Sequence, residues 1–154
     1  MRLGAGEVRA VLPHREPFIF IDEVLHVEPG QRIDASWAVN PAHPVLEGHF
    51  PGLPILPGVL AVEAIAQAGG LCCLLAEGNE EGKVGVLAAA SEICWHHPIR
   101  PGDELVVQAR ILRLNRKCGK VQGRVWAIRG DDARIVCEVG EVTLIMVPRE
   151  QVGL

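Results

Sequence analysis

Residues 59–77 are apolar on nearly every side. Of these nineteen positions only Glu63, Gln67 and Glu77 are polar; the rest are mostly alanine, glycine, cysteine and aliphatic residues. The segment reads as a helix, with Pro57 suited to its first turn and Gly78 to its stop. A helix with no polar face is unsuited to a protein surface and has to be enclosed. Its length approaches that of a membrane span. Against that reading, alanine, glycine and cysteine dominate over leucine, and Glu63 and Gln67 would be costly in lipid. A sheet wrapped around the helix is the better enclosure, because small side chains let strands approach closely.

The flanking sequence supplies such a sheet. Residues 18–27 are rich in β-branched and aromatic side chains and read as a strand. Residues 31–39 alternate and read as its partner across a Pro29-Gly30 turn. Residues 7–12 suit a short helix stopped before Pro13. Residues 40–57 hold five prolines and read as a loop with fixed bends. Four long strands are expected at 84–97, 104–114, 117–129 and 134–147. Pro101-Gly102, Asn115-Arg116 and Gly130-Asp131-Asp132 separate them. In the third, Gly119, Val121, Gly123, Val125 and Ala127 share one face and Lys120, Gln122 and Arg124 the other, the pattern of a sheet packed on one side and wet on the other. The expected class is α+β: an antiparallel sheet curled around one helix. With 154 residues, no repeats and no long linker, residues 1–154 are expected to form one domain.

The charge pattern narrows the function. A formal net charge of -4 argues against general nucleic-acid binding. Residues 105–130, however, carry seven bases and no acid. That stretch suits either an acidic partner or a solvated strand face. The start of the chain has no apolar run of the signal-peptide kind, and the five cysteines lack zinc spacing. A reduced, cytoplasmic setting is expected. His96 and His97 are adjacent on an expected strand and would point to opposite faces, a poor chelate. A structural or catalytic metal is not expected.

Two residues stand out as chemistry. His49 lies in the stiff loop Gly48-His49-Phe50-Pro51-Gly52, and Glu63 follows fourteen residues later in the apolar helix. An imidazole titrates near neutral pH, and a buried carboxyl tends to stay protonated and act as an acid. The backbone N–H near Gly58 lies at the start of the helix, where it can hold a carbonyl oxygen as negative charge develops. Gln67 lies four residues after Glu63 on the same helix face. A bland reading stands beside this one. A loop histidine is more often a surface or hydrogen-bonded residue, and Gln67 or a backbone amide can satisfy a buried glutamate structurally. His14, His26 and His43 are expected to be non-catalytic.

Three motifs carry a family resemblance. Leu12-Pro13-His14-Arg15-Glu16-Pro17-Phe18, Gly48-His49-Phe50-Pro51-Gly52 and the run from Pro57-Gly58-Val59 to Glu63 and Gln67 resemble the 3-hydroxyacyl-[acyl-carrier-protein] dehydratases of type II fatty acid synthesis. Pro98-Ile99-Arg100-Pro101-Gly102-Asp103 adds a fourth match, and the similarity runs from about Leu12 to Val147. The resemblance implies a hot-dog fold, a homodimer or a trimer of dimers, and acyl carrier protein as the partner that delivers substrate. It implies that His49 abstracts a C2 proton and that Glu63 of the partner subunit protonates or orients the departing 3-hydroxyl. Gly58 N–H would hold the thioester carbonyl, with Gln67 behind Glu63, and the resemblance implies no metal or organic cofactor. Arg100, Lys117 and Lys120 are candidates for docking the carrier. Glutamate rather than aspartate at 63 implies dehydration without isomerisation. Trp95-His96-His97-Pro98 stands where the family usually has Phe-Arg-Arg-Pro, His43-Pro44-Val45-Leu46-Glu47 replaces the usual Glu-Pro-Phe-Phe, and the chain has no tyrosine. These departures leave the acyl chain length and the pathway open. A hot-dog thioesterase and a non-catalytic acyl-binding subunit are the alternative functions; the His49 and Glu63 pair suits elimination better than either.

Overall fold

In the computed structural model, which describes residues 1–78 and 82–153, one sheet curves around one long helix. The elements in chain order are α1 (Ala5–Val11), β1 (Glu23–Glu28), β2 (Arg32–Ala38), α2 (Pro44–His49), α3 (Gly58–Leu74), β3 (Lys83–Trp95), β4 (Glu104–Leu114), β5 (Cys118–Arg129) and β6 (Asp132–Pro148). A 3-10 turn at Arg149–Val152 follows. The six strands run in the order β1-β2-β4-β5-β6-β3, with every neighbouring pair antiparallel.

The helix α3 explains the sheet. Thirteen of its seventeen residues are buried, and it packs against β2, β3, β4, β5 and β6. It thus has strand on most sides, as its lack of a polar face demands. Close approach depends on missing side chains. A Cβ on Gly123 of β5 would stand 2.4 Å from Cγ2 of Ile65 and 2.9 Å from the Gln108 carbonyl oxygen. A Cβ on Gly69 of α3 would stand 2.7 Å from Cγ1 of Val121. Helix and sheet therefore touch through glycine on both surfaces. On β5, Gly119, Val121, Val125 and Ala127 are buried while Gln122 and Arg124 are exposed, as the alternation predicts.

Two expectations are corrected. The first strand begins at Glu23, not Phe18. Residues 18–20 lie outside the ladder, held by Gln67 of α3: its Oε1 accepts from Phe20 N at 2.9 Å and its Nε2 donates to the Phe18 carbonyl at 3.0 Å, while Asp22 N still donates to the Ser36 carbonyl of β2 at 2.8 Å. The proline-rich stretch 40–57 is not wholly loop, since α2 occupies part of it. His43 caps that helix by accepting from Val45 N through Nδ1 at 3.3 Å, and Pro44 fills the first turn, where its missing N–H costs nothing.

Among the described residues, the edge strand β3 is unpaired along its outer side. At thirteen residues β3 is long for a sheet edge, and its residues 86–92 are all exposed, including Val86 at 42% and Leu87 at 43%. An uncovered edge of that length invites another strand.

The glycine contacts give a direct test of the packing. Gly123→Ala should cost at least about 1 kcal/mol through overpacking, lowering Tm by roughly 3 °C or more in thermal unfolding. Gly6→Ala in α1, where a Cβ meets nothing within 4 Å, should leave Tm unchanged or raise it.

Candidate active site

The final residue of α2 is His49, which the turn after it brings back onto the chain. The Leu53 N–H donates to the Phe50 carbonyl at 2.9 Å, Gly52 takes the left-handed conformation (φ 77°), and Leu56 N–H bonds the Ile99 carbonyl at 2.9 Å. That path delivers the Ile55 carbonyl to His49 Nδ1 at 2.8 Å. A carbonyl oxygen only accepts, so Nδ1 carries the hydrogen. In the neutral ring Nε2 then keeps its lone pair, which is the state a general base requires. The Phe50 ring packs on the imidazole with centroids 4.0 Å apart.

The His49 imidazole lines a cavity of about 520 Å³ together with Gly58, Val59, Trp95, His97 and Ile99 among others. Gly58 is the first residue of α3, so its N–H is one of the helix-start donors with no acceptor inside the helix. The Trp95 indole Nε1 donates to the Gly58 carbonyl at 2.8 Å, and a Cβ on Gly58 would stand 2.6 Å from that nitrogen. Glycine is what lets the tryptophan close over the helix start.

The Glu63 carboxyl lies in a second cavity, of about 400 Å³, with His14, Gln67, Gly70 and residues 84–87 in its lining. Burial pushes its pKa up from the ordinary 4.5, opposed by the hydrogen bond from Gln67. Gln67 Nε2 donates to Glu63 Oε1 at 3.0 Å. With its bonds to Phe18 and Phe20, Gln67 uses both amide hydrogens and its oxygen, so it can hold the carboxyl in only one place.

Of the four residues expected at the centre, a single chain thus brings together His49 with Gly58 and Glu63 with Gln67, in two separate cavities. Both cavities reach β3. Trp95, its last residue, lines the first, and residues 84–87, at its start, line the second.

The three basic residues expected at a docking surface do not form one patch. Arg100 follows Ile99 at the rim of the His49 cavity, and Arg129 of β5 lies alongside it, bonded to Asp103 and to the Pro101 carbonyl. Lys117 and Lys120 belong to the other end of β5, nine or more residues away, roughly 30 Å along an extended strand. Lys120 is paired with Glu141 at 2.7 Å, whereas Lys117 is exposed beside the start of β3, where Lys83 reaches the Arg116 carbonyl.

Two histidines set aside on sequence have work here. His43 caps α2 and donates through Nε2 to the Pro17 carbonyl at 3.0 Å. His14 lies against Glu63, with Nε2 3.5 Å from Oε1. Cys72, Cys73 and Cys137 are buried packing residues. Burial pushes Cys73 up to about 12 and Cys137 to about 11, and raises Cys72 as well, far from thiolate chemistry. No described helix is long and apolar enough to cross a membrane.

Comparisons with known proteins agree with this arrangement. Residues 12–139 match the family model described as a FabA-like domain. A 3-hydroxyacyl-[acyl-carrier-protein] dehydratase FabZ from Oceanobacillus iheyensis is 36% identical over 141 residues, 92% of this chain and 96% of that protein. A protein of the same name from Ruminiclostridium cellulolyticum is 40% identical over 140 residues, 91% and 94% of the two chains. Among solved structures, the dehydratase heterocomplex ApeI:P from Xenorhabdus doucetiae matches with a TM-score of 0.76 at 20% identity, over 94% of this chain and 93% of that one. A thioesterase from Pseudomonas aeruginosa matches at 0.64 and 17%, over 94% of each chain. At such identities the structures speak for the fold alone, a hot-dog fold of the α+β class. The sequence match spans most of the chain and includes the motifs around His49, Gly58 and Glu63: the protein belongs to the FabA-like family.

Proposed function

We propose that this chain dehydrates (3R)-3-hydroxyacyl-[acyl-carrier-protein] to the trans-2-enoyl thioester, in type II fatty acid synthesis or a related lipid pathway. The observation that carries the reading is the position of two half-sites, one at each end of the uncovered strand β3. Pairing β3 with β3 of a second copy, antiparallel about a two-fold axis, sets the Trp95 end of one protomer beside the start of the other's strand. The His49 cavity of one protomer then abuts the cavity of the partner's Glu63. Each dimer would hold two composite sites, and three dimers could assemble further without altering them.

In such a site the chemistry balances with no added redox partner. His49 Nε2 takes the C2 proton. The thioester carbonyl oxygen gains negative charge and is met by Gly58 N–H. The C3–O bond breaks as the partner's Glu63 gives its proton to the departing hydroxyl, and water leaves. The elevated pKa of Glu63 suits it to hold a proton at the start of this step. Passing the proton from the imidazolium to the carboxylate resets both groups. The substrate's acyl chain is apolar, as is the wall that residues 84–87 and Gly70 give the Glu63 cavity.

The same pairing gathers the basic residues. Arg100 of one protomer comes to the end that carries Lys117 of the partner subunit, which supports docking of an acidic carrier protein at the rim. We place the chain in a reducing compartment such as the cytoplasm, where cysteines are kept as thiols.

Purified protein given 3-hydroxyacyl carrier-protein thioesters should form enoyl absorbance without releasing thiol. His49→Ala and Glu63→Gln should each cut kcat by roughly 100- to 10,000-fold. Thiol release without enoyl product would establish hydrolysis instead. Stability gives a second check. A raised carboxyl pKa means the folded state binds more protons than the unfolded one between pH 4.5 and the raised value. Stability therefore falls as pH rises through that window. Glu63→Gln should have a higher Tm than wild type at pH 7, and the gain should vanish below pH 4.5. An equal gain at both pH values would place its cause elsewhere.

A further inference from the structure

One oxygen of Glu63 is already committed. Oε1 accepts from Gln67 Nε2, and His14 Nε2 lies 3.5 Å from the same atom. His14 sits in the segment after α1, which Arg15 pins in place. The Arg15 guanidinium donates to the carbonyls of Leu12 at 2.8 Å, of His14 at 2.6 Å and of Arg9 at 3.1 Å. The position of the imidazole is therefore built by the backbone around it.

The imidazole is also held to one form. Its Nδ1 is buried with no hydrogen-bond partner. A protonated ring would leave an N–H there unpaired, whereas the neutral ring with hydrogen on Nε2 leaves only a lone pair facing apolar surroundings. Burial, and after it the charge of Arg15, push His14 below the ordinary 6.5. The neutral Nε2–H tautomer directs its hydrogen towards Glu63 Oε1.

We propose that His14 is a positioning residue for Glu63: its neutral Nε2–H and the Gln67 amide together hold Oε1 as an acceptor, so a proton on the carboxyl resides on Oε2. The separation of 3.5 Å is longer than a fully formed N–H···O bond, so in the free protein the imidazole acts on Oε1 as an oriented N–H dipole at close range. Among the described residues lining the cavity, His14 and Glu63 alone are ionisable. The walls from β3 and β6 are apolar there, α3 adds Gln67, and the charge of Arg15 lies on carbonyls behind His14. The catalytic value of this contact rests on Glu63 being the acid of the proposed reaction; the hydrogen-bond arrangement itself does not.

The test uses the full-length protein with 13C-labelled glutamate carboxyl groups. Glu63 is titrated by NMR in wild type, in His14→Phe and His14→Leu, which lack a donor, and in His14→Gln, which retains one. A donor stabilises the carboxylate, so its loss should raise the Glu63 titration midpoint by about half a pH unit, about threefold in acid strength. His14→Gln should titrate close to wild type. In parallel, kcat should fall about tenfold in the donorless variants, with KM nearly unchanged and partial recovery in His14→Gln. An unmoved Glu63 titration in folded His14→Phe or His14→Leu overturns the inference, as does an equal shift in all three variants. A titration that moves as expected in a wild-type protein forming no enoyl product would uphold the contact and defeat the dehydratase reading.

Discussion

The enclosure of α3 by the sheet governs the rest of this molecule. A helix with thirteen buried residues has nowhere to place a polar group except where the wall is incomplete. Glu63 and Gln67 occupy such a place. The carboxyl is half-buried, and Gln67, at 2% exposure, satisfies its own hydrogen bonds by taking backbone groups from residues 18–20. Burial that stabilises the fold also raises the carboxyl pKa, the property that the proposed acid role of Glu63 requires. The packing and the chemistry share one cause.

The start of the same helix serves the other half-site. Gly58 begins α3, and glycine there permits Trp95 to close over the helix end from the last position of β3. His49 reaches that cavity because α2 and the turn at Gly52 return the chain to Ile55, whose carbonyl fixes the imidazole tautomer. The strand β3 thus touches both half-sites, one at each end, and its outer edge is uncovered. A single copy leaves His49 and Glu63 in different cavities; the proposed two-fold pairing along that edge would complete two sites at once.

Much of this was legible in the sequence. The absence of a polar face in residues 59–77 demanded enclosure, and the alternation in β5 gave the side of the sheet that encloses it. Glu63 and Gln67 stood out as polar residues in an apolar helix, His49 as an imidazole in a stiff loop and Gly58 as an N–H at the helix start. What escaped was set by contacts between distant segments. Residues 18–20 look like strand by composition, but Gln67 claims the Phe18 carbonyl and the Phe20 N–H. The stretch 40–57 reads as a loop by its prolines, yet His43 and Pro44 are what start α2. His14 lies in a noted motif, but nothing local marks its place against Glu63, which arises only when the turn after α1 folds over α3. Arg100 and Lys117 lie apart on one chain, and no count of charge along the sequence distinguishes that from a cluster.

Mixing two inactive variants tests the composite site most directly. His49→Ala and Glu63→Gln dimers, each inactive alone, would be dissociated, combined in equal amounts and reassembled. In a shared site, the mixed dimer has one centre carrying both mutations and one carrying neither. Random pairing should then restore about a quarter of wild-type dehydratase activity. A mixture as inactive as its components, with mixed dimers confirmed by mass, would show that His49 and Glu63 do not work across the interface.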